Sequence, residues 1–348
     1  MMEKNGSSHM TWDELLDEYF FSHNLRSDTE WSYRKVVSRV NAFFGEHKLP
    51  ENITHRDILQ WRRATLNEQG LSPNTWNNRV AHLRALFNFG IEEGLLCLDK
   101  NPLNNSVVQR GIKKKKTLNK KQLTRVYLVM QQFEAYENAN LTNHTRRCAI
   151  YPAWFWLTVL DALRYTGMRL NQLLHIRISD VNIDDGYLQL QLEGSKTHRE
   201  WCVPIVRQLR GRLKQLIINA HQTGAEQSDF LFDVKRFRPD FRADDYVYDA
   251  KDALQSVRSF FRRLTKECKF IVSPHRFRHT LATELMAAPD RNLQLVKELL
   301  GHRSVSTTME YVEIKMDVVG KTLEQELSLY TDLGAENDFS LRENIYMT

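Results

Sequence analysis

Cysteine is scarce in this chain. Cys97, Cys148, Cys202 and Cys268 are scattered through 348 residues with no C-x-x-C pair. That spacing excludes a disulfide framework and a zinc ribbon, and it suits a reducing compartment. No apolar run reaches transmembrane length, and the first residues lack a signal-peptide core, so no membrane partner is expected. A phosphate-cradling glycine loop is missing, and so is the carboxylate cluster of a two-metal site. Nucleotide-driven and metal-dependent nuclease chemistry are therefore disfavoured, and no cofactor is expected. Internal repeats and strong low-complexity tracts are also absent. Positive charge is in mild excess: Lys plus Arg is 49 against 43 for Asp plus Glu, a net charge of +6 with a pI near 9.0. A polyanionic partner suits that balance.

The length allows two or three domains. Residues 1–10 are polar and are expected to be a disordered tail. Residues 11–97 read as a small helical domain. Thr11 with Glu14 forms a capping box before Trp12, Leu15, Leu16, Tyr19 and Phe20. Ser27 with Glu30 opens a second helix whose apolar side includes Trp31, Val36, Val37, Val40, Phe43 and Phe44. Thr54 starts a third. Ser72 and Pro73 start a fourth, with Trp76, Val80, Leu83, Leu86 and Phe87 on one side. Asn77, Asn78, Arg79, His82 and Arg84 fall on its other, exposed faces. Residues 98–119 read as a basic linker, with Lys113, Lys114, Lys115 and Lys116 in an unbroken run.

Residues 120–332 read as a larger domain, and 333–348 as a loose tail. Helices are expected over 123–133, 153–164 and 171–175. Strands follow at 181–183, 187–192 and 199–204, with the Asp185-Gly186 turn as a hairpin signal. Lys196 then sits in the turn between the second and third strands. Further helices are expected over 207–222, 253–266, 275–286, 292–300, 305–314 and 318–329. Two segments, about 134–150 and 231–252, look like insertions. The fold class is mainly α with a small antiparallel β-sheet (α+β).

The chemistry rests on one ordered set of residues. Arg169 lies in Arg164-Tyr165-Thr166-Gly167-Met168-Arg169, and Lys196 in Gly194-Ser195-Lys196-Thr197. His275 and Arg278 lie in Pro274-His275-Arg276-Phe277-Arg278-His279. His302 follows Gly301, and Tyr311 comes nine residues later. Arginine forks hold phosphate oxygens in pairs, and a phenol is a nucleophile. Cations that hold a phosphate beside a phenol that attacks it suggest phosphoryl transfer on a nucleic-acid backbone. His275 and His279 are four apart, but Arg276 and Arg278 between them disfavour a bound cation, so no metal is expected. His279 reads as a buried structural histidine.

In order and spacing the set resembles the tyrosine recombinase (phage integrase) family, over roughly residues 11–330. The resemblance implies a small helical core-binding domain and a tyrosine-recombinase catalytic domain. It implies that Arg169 and Arg278 clamp the non-bridging phosphate oxygens and that His302 donates a hydrogen bond. Lys196 would protonate the leaving 5′ oxygen, His275 would assist proton transfer at the tyrosine, and Tyr311 would form a 3′-phosphotyrosine without ATP or metal. Candidate DNA contacts are Arg79, Arg84, Lys113, Lys114, Lys115, Lys116 and Arg276. The family usually has an acidic residue three positions after the first arginine; Gln172 stands there. With about ten residues before the first helix, the chain resembles two-domain members without an arm-binding domain, of mobile-element type. Expected partners are double-stranded DNA with an inverted-repeat core site and three further copies in a tetramer on two DNA sites. There is room for an accessory DNA-bending protein or a partner recombinase. The expected location is cytoplasmic, on the nucleoid of a prokaryote or its phage or mobile element. The alternatives are a DNA-binding regulator derived from a recombinase and a type IB topoisomerase-like enzyme.

Overall fold

The computed structural model describes residues 10–111, 115–139, 148–194, 199–244, 246–287 and 292–311. The expected turn at Lys196, the helix over 318–329, the tail over 333–348, and Lys113 and Lys114 lie outside the described residues. The chain divides into two compact units at Lys114 and Lys115.

The first unit is built on four helices: α1 (Trp12–Ser22), α2 (Ser27–Phe44), α3 (His55–Arg63) and α4 (Pro73–Glu92). The Thr11–Glu14 and Thr54–Asp57 capping boxes are formed, and Ser72 caps α4 through the amide of Thr75. These caps satisfy amides that would otherwise be orphaned at the helix starts. Ser27 is not a cap. It is the first helical residue of α2, and Arg26 precedes it without a side-chain cap. Trp12, Leu15, Leu16, Val37, Trp61, Trp76, Leu83 and Phe87 fill the core, each buried large side chain contributing about 1.5–3 kcal/mol. Trp31 is not in that core; it is 62% exposed.

The segment expected to be a free linker is partly fastened to this unit. Trp76 donates its indole N–H to the Ser106 carbonyl (2.7 Å). Asn77 bonds both the carbonyl and the amide of Val108 (2.8 and 3.0 Å). Leu103 is buried in the core, and Arg84 donates to its carbonyl (3.1 Å). Two polar residues placed on exposed faces of α4, Asn77 and Arg84, are thus turned toward residues 101–108. Their task is to satisfy the backbone of a segment with no ladder of its own.

The second unit surrounds α6 (Ala153–Thr166), which is buried along nearly its whole length. Around it lie α5 (Lys120–Asn138), α8 (Arg207–Gln222) and α10 (Pro274–Ala287). After α6 come the short α7 (Leu170–Leu174) and an antiparallel sheet in the order β1-β2-β3: β1 (Val181–Asn182), β2 (Tyr187–Leu190) and β3 (Trp201–Pro204). Tyr187 pairs with Pro204 and Leu190 with Trp201, which turns Leu188, Leu190 and Val203 inward. Gly186 takes the left-handed conformation (φ 76°) that the β1–β2 turn requires. The later helices are α9 (Ala250–Cys268), α11 (Leu293–Leu300) and α12 (Val305–Met309).

The expected insertion over 231–252 is folded into the unit. Leu231, Phe232 and Val234 belong to the main core, and Asp249 caps α9 within it. Likewise α5 runs to Asn138, into the other expected insertion, whose residues 140–147 lie outside the described residues.

Candidate active site

Two helix ends build the centre of the site. Helix α6 stops at Gly167 (φ 63°) and α11 stops at Gly301 (φ 61°), both left-handed caps. Space and conformation both demand glycine. A Cβ on Gly301 would lie 2.4 Å from the Trp201 ring, and one on Gly167 would lie 2.9 Å from Leu281 and Leu300. These tight stops leave carbonyls pointing at one place. Arg278, on α10, donates from Nη1 to the Gly167 carbonyl and from Nη2 to the Leu300 carbonyl, both at 2.7 Å. Its charge therefore rests on the partial negative ends of two helices.

Arg278 is only 4% exposed. Burial, reinforced by the charge of Arg169, pushes its pKa down to about 10, so it remains a cation at neutral pH. Arg169 is half-buried at the start of α7. Burial also works against its charge, and its Nη1 is enclosed with no partner. Among the described residues neither arginine is paired with a carboxylate. Two cations held in a low-dielectric setting without a counter-ion make an anion site.

Gln172 is 2% exposed. Its Oε1 accepts from the Arg169 amide (2.8 Å), while its Nε2 is enclosed without a partner. It orients the backbone at Arg169 yet supplies none of the charge a carboxylate would bring.

His302 is buried beside Arg278, its Nε2 2.9 Å from Nη2. Arginine only donates, so Nε2 accepts, and Nδ1–H donates to the Thr308 hydroxyl (2.9 Å). Burial, then Arg278 and Arg169, lower its pKa to about 4. His302 is therefore a neutral ring at neutral pH.

Tyr311 sits on the turn after α12 and is 5% exposed. Its ring lies parallel to that of His302, centroids 6.0 Å apart, and packs with Ala282, Met286, Val296 and Leu300. Lys115 also lies over the ring (5.6 Å) while paired with Glu310 (2.6 Å). The hydroxyl is 3.0 Å from Nδ1 of His279. The sequence reads His279 as a buried structural histidine, but it is half-buried. The available signal was helical spacing: His275, Arg278 and His279 share one face at i, i+3 and i+4. His275 is exposed one turn before His279, ring centroids 6.3 Å apart.

The described residues on either side of 195–198 are tied to the site. Asn171, on α7, donates to the Gly194 carbonyl (3.1 Å). Arg199 pairs with Glu298 (2.6 Å), and Trp201 donates to the Leu299 carbonyl (3.3 Å), both on α11.

The candidate DNA contacts separate into groups. Lys116 is exposed and Arg276 half-buried, and Lys115 lies on the Tyr311 ring. Arg79 stacks over Trp61 (5.4 Å) and donates to Thr65 (3.1 Å), at a concave face shared with Trp31, Lys35 and Arg39. Arg84 is engaged with Leu103, as described above.

Fold and site together define a class: a mainly helical protein with an anion-holding pair of arginines around a buried tyrosine. Comparison with known proteins is consistent. The phage integrase family model matches residues 116–317, and the phage integrase N-terminal SAM-like domain matches residues 13–94. A Pseudomonas aeruginosa protein named provisionally as tyrosine recombinase XerC is 36% identical over 309 residues, covering 88% of this chain and 70% of that protein. One of the same name from Pseudomonas syringae is 34% identical over 321 residues, covering 91% of this chain and 64% of that protein. This chain thus spans about two thirds of those relatives' length. The fold matches the Tn1549 transposon integrase in complex with transposon right end DNA (TM-score 0.67, 19% identity, 92% of this chain and 100% of that one). It also matches a lambda integrase tetramer bound to a Holliday junction (TM-score 0.61, 16% identity, 88% and 78%). The chain belongs to the phage integrase family, whose relatives here are tyrosine recombinases.

Proposed function

We propose that the protein is a site-specific DNA recombinase that cuts and rejoins strands through a covalent 3′-phosphotyrosine. The observation that carries this reading is the pair of arginines, Arg169 and Arg278, held without carboxylates beside the Tyr311 hydroxyl. A phosphodiester supplies the missing negative charge. The arginines hold its non-bridging oxygens, and their grip strengthens as charge builds in the transition state. His302 donates to the same oxygens once the phosphate raises its proton affinity. Tyr311 attacks phosphorus, His275 assists proton transfer there, and Lys196 gives a proton to the leaving 5′ oxygen. The phosphotyrosine keeps the energy of the broken bond, so a 5′ hydroxyl from another strand reverses the attack.

The substrate is double-stranded DNA with an inverted-repeat core, and the working assembly is a tetramer on two such sites. The lambda integrase tetramer on a Holliday junction supports a DNA substrate and a tetramer. Lys115, Lys116, Arg276 and Arg79 are the phosphate contacts the geometry favours. Among the described residues no helix is long and apolar enough to cross a membrane, and we place the enzyme with the DNA in the cytoplasm. An accessory DNA-bending protein or partner recombinase belongs to the same reading.

The test is capture of SDS-resistant protein–DNA adducts on fragmented genomic and mobile-element DNA, wild type beside Tyr311→Phe, with the attached fragments sequenced. Adducts in wild type alone, clustered at one inverted repeat, support the reading. DNA bound without any adduct shifts it to a regulator derived from a recombinase.

A further inference from the structure

We infer that His279 is the first acceptor of the Tyr311 proton, and so a further catalytic residue of strand cleavage. This rests on the recombinase reading above.

The geometry is direct. His279 Nδ1 and the Tyr311 hydroxyl are 3.0 Å apart, within the range of a working proton transfer. The direction of that bond follows from its neighbours. Arg278 also lies against the phenol oxygen and gains proton affinity from it. Arginine can only donate, so it takes one of the oxygen's two lone pairs and leaves the O–H free to point at the imidazole. In that arrangement Nδ1 accepts, and Nε2 carries the ring proton. Burial, with the charges of Lys115, His275 and Arg278, keeps the ring neutral, its pKa lowered to about 4, while Glu310 opposes them. Among the described residues, those groups and Tyr311 itself are the titratable ones acting on it, from the segment before α5, from α10 and from the turn after α12.

The His279 ring is a weak base by itself. A phosphodiester seated on Arg169 and Arg278 adds negative charge beside the ring and raises its proton affinity. Cleavage then balances. The Tyr311 oxygen bonds to phosphorus as its proton passes to His279 Nδ1. The P–O5′ bond breaks, and the 5′ oxygen takes a proton from Lys196. Rejoining runs the same transfers backward, His279 returning its proton to the phenol.

The experiment uses the full chain and the inverted-repeat site recovered from wild-type adducts. Single-turnover adduct formation is followed between about pH 6 and about pH 8 for wild type and His279→Asn. Asparagine keeps a hydrogen-bonding group near the Nδ1 position but has no basicity. The wild-type rate should be nearly flat across that range. The variant should be slower by about a hundredfold near neutrality, with a rate that climbs about tenfold per pH unit because hydroxide must then take the proton. It should bind the same DNA as tightly as wild type. A second substrate carries a bridging 5′ sulfur, whose departure needs no proton. It should rescue Lys196→Ala but not His279→Asn. A His279→Asn profile parallel to wild type, or rescue of that variant by sulfur, would overturn the inference. Absence of adducts from wild type itself would instead remove the recombinase reading on which it rests.

Discussion

Two buried arginines in the second unit have opposite surroundings. Arg236 is 9% exposed. It meets the carboxylates of Asp229 (2.9 Å) and Asp233 (3.8 Å) and lies over the rings of Tyr246 (5.0 Å) and Phe241 (5.9 Å). Tyr246 also donates to Asp233. Every charge there has a partner within the chain, and the network fastens residues 229–246 to the core. Arg278 is as deeply buried, yet it is met by two carbonyls, a neutral histidine and a second arginine. The first arrangement is finished by folding. The second is finished only by an anion from outside, and the fold supports the uncompensated charge in the meantime.

The contrast can be broken by substitution, and the largest effect belongs to the nucleophile. Tyr311→Phe should abolish covalent adducts completely while leaving DNA affinity unchanged, read by denaturing gels and by filter binding. Arg278→Met comes next. Adduct formation should fall by about 100–1,000-fold with a modest change in unfolding free energy, because an unpaired charge leaves along with its hydrogen bonds. Arg236→Met should do the reverse. It leaves Asp233 buried without its cation, so denaturant unfolding should show a loss of about 3–5 kcal/mol, with adduct chemistry intact in the folded fraction. Equal effects of the two variants on both readouts would erase the distinction.

Acidification sharpens the same comparison more gently. His302 and His279 both have folded-state pKa values lowered from 6.5 to about 4. The unfolded chain binds protons at these positions first. Stability should therefore be full above about pH 6.5 and decline toward about pH 4. In His302→Gln that decline should be shallower, measured by the thermal midpoint across the range.

The smallest effect is expected from Gln172→Glu, which makes the Arg169 pocket more like that of Arg236. Inorganic phosphate should raise the melting temperature of wild type by linkage. The variant should lose most of that shift and gain about 1 kcal/mol in phosphate-free buffer, since a partnerless buried donor is removed. A variant still stabilised by phosphate to the wild-type extent would show that Gln172 does not set the charge of the site.

What could be read from the sequence was what is local. Thr11, Thr54, Ser72 and Pro73 announce helix starts because a cap lies within three residues of the amides it satisfies. Asp185-Gly186 announces a hairpin for the same reason. The six site residues stood out because their types and order are unusual together. The misreadings all turned on distance. Arg84 looks exposed on a helical wheel, but Leu103, nineteen residues later, returns to its guanidinium. The 231–252 segment looks inserted because it is rich in Asp, Arg, Phe and Tyr, yet Asp233, Arg236 and Tyr246 meet one another in space. His279 is one step along α10 from Arg278, and only the return of the chain at Tyr311, 32 residues on, gives its ring a task.

The most direct test of the central claim is to digest a trapped adduct with protease and nuclease and locate the nucleotide by mass spectrometry. The account predicts a nucleotide joined through its 3′ phosphate to Tyr311. A nucleotide on any other side chain, or one joined through a 5′ phosphate, would contradict it.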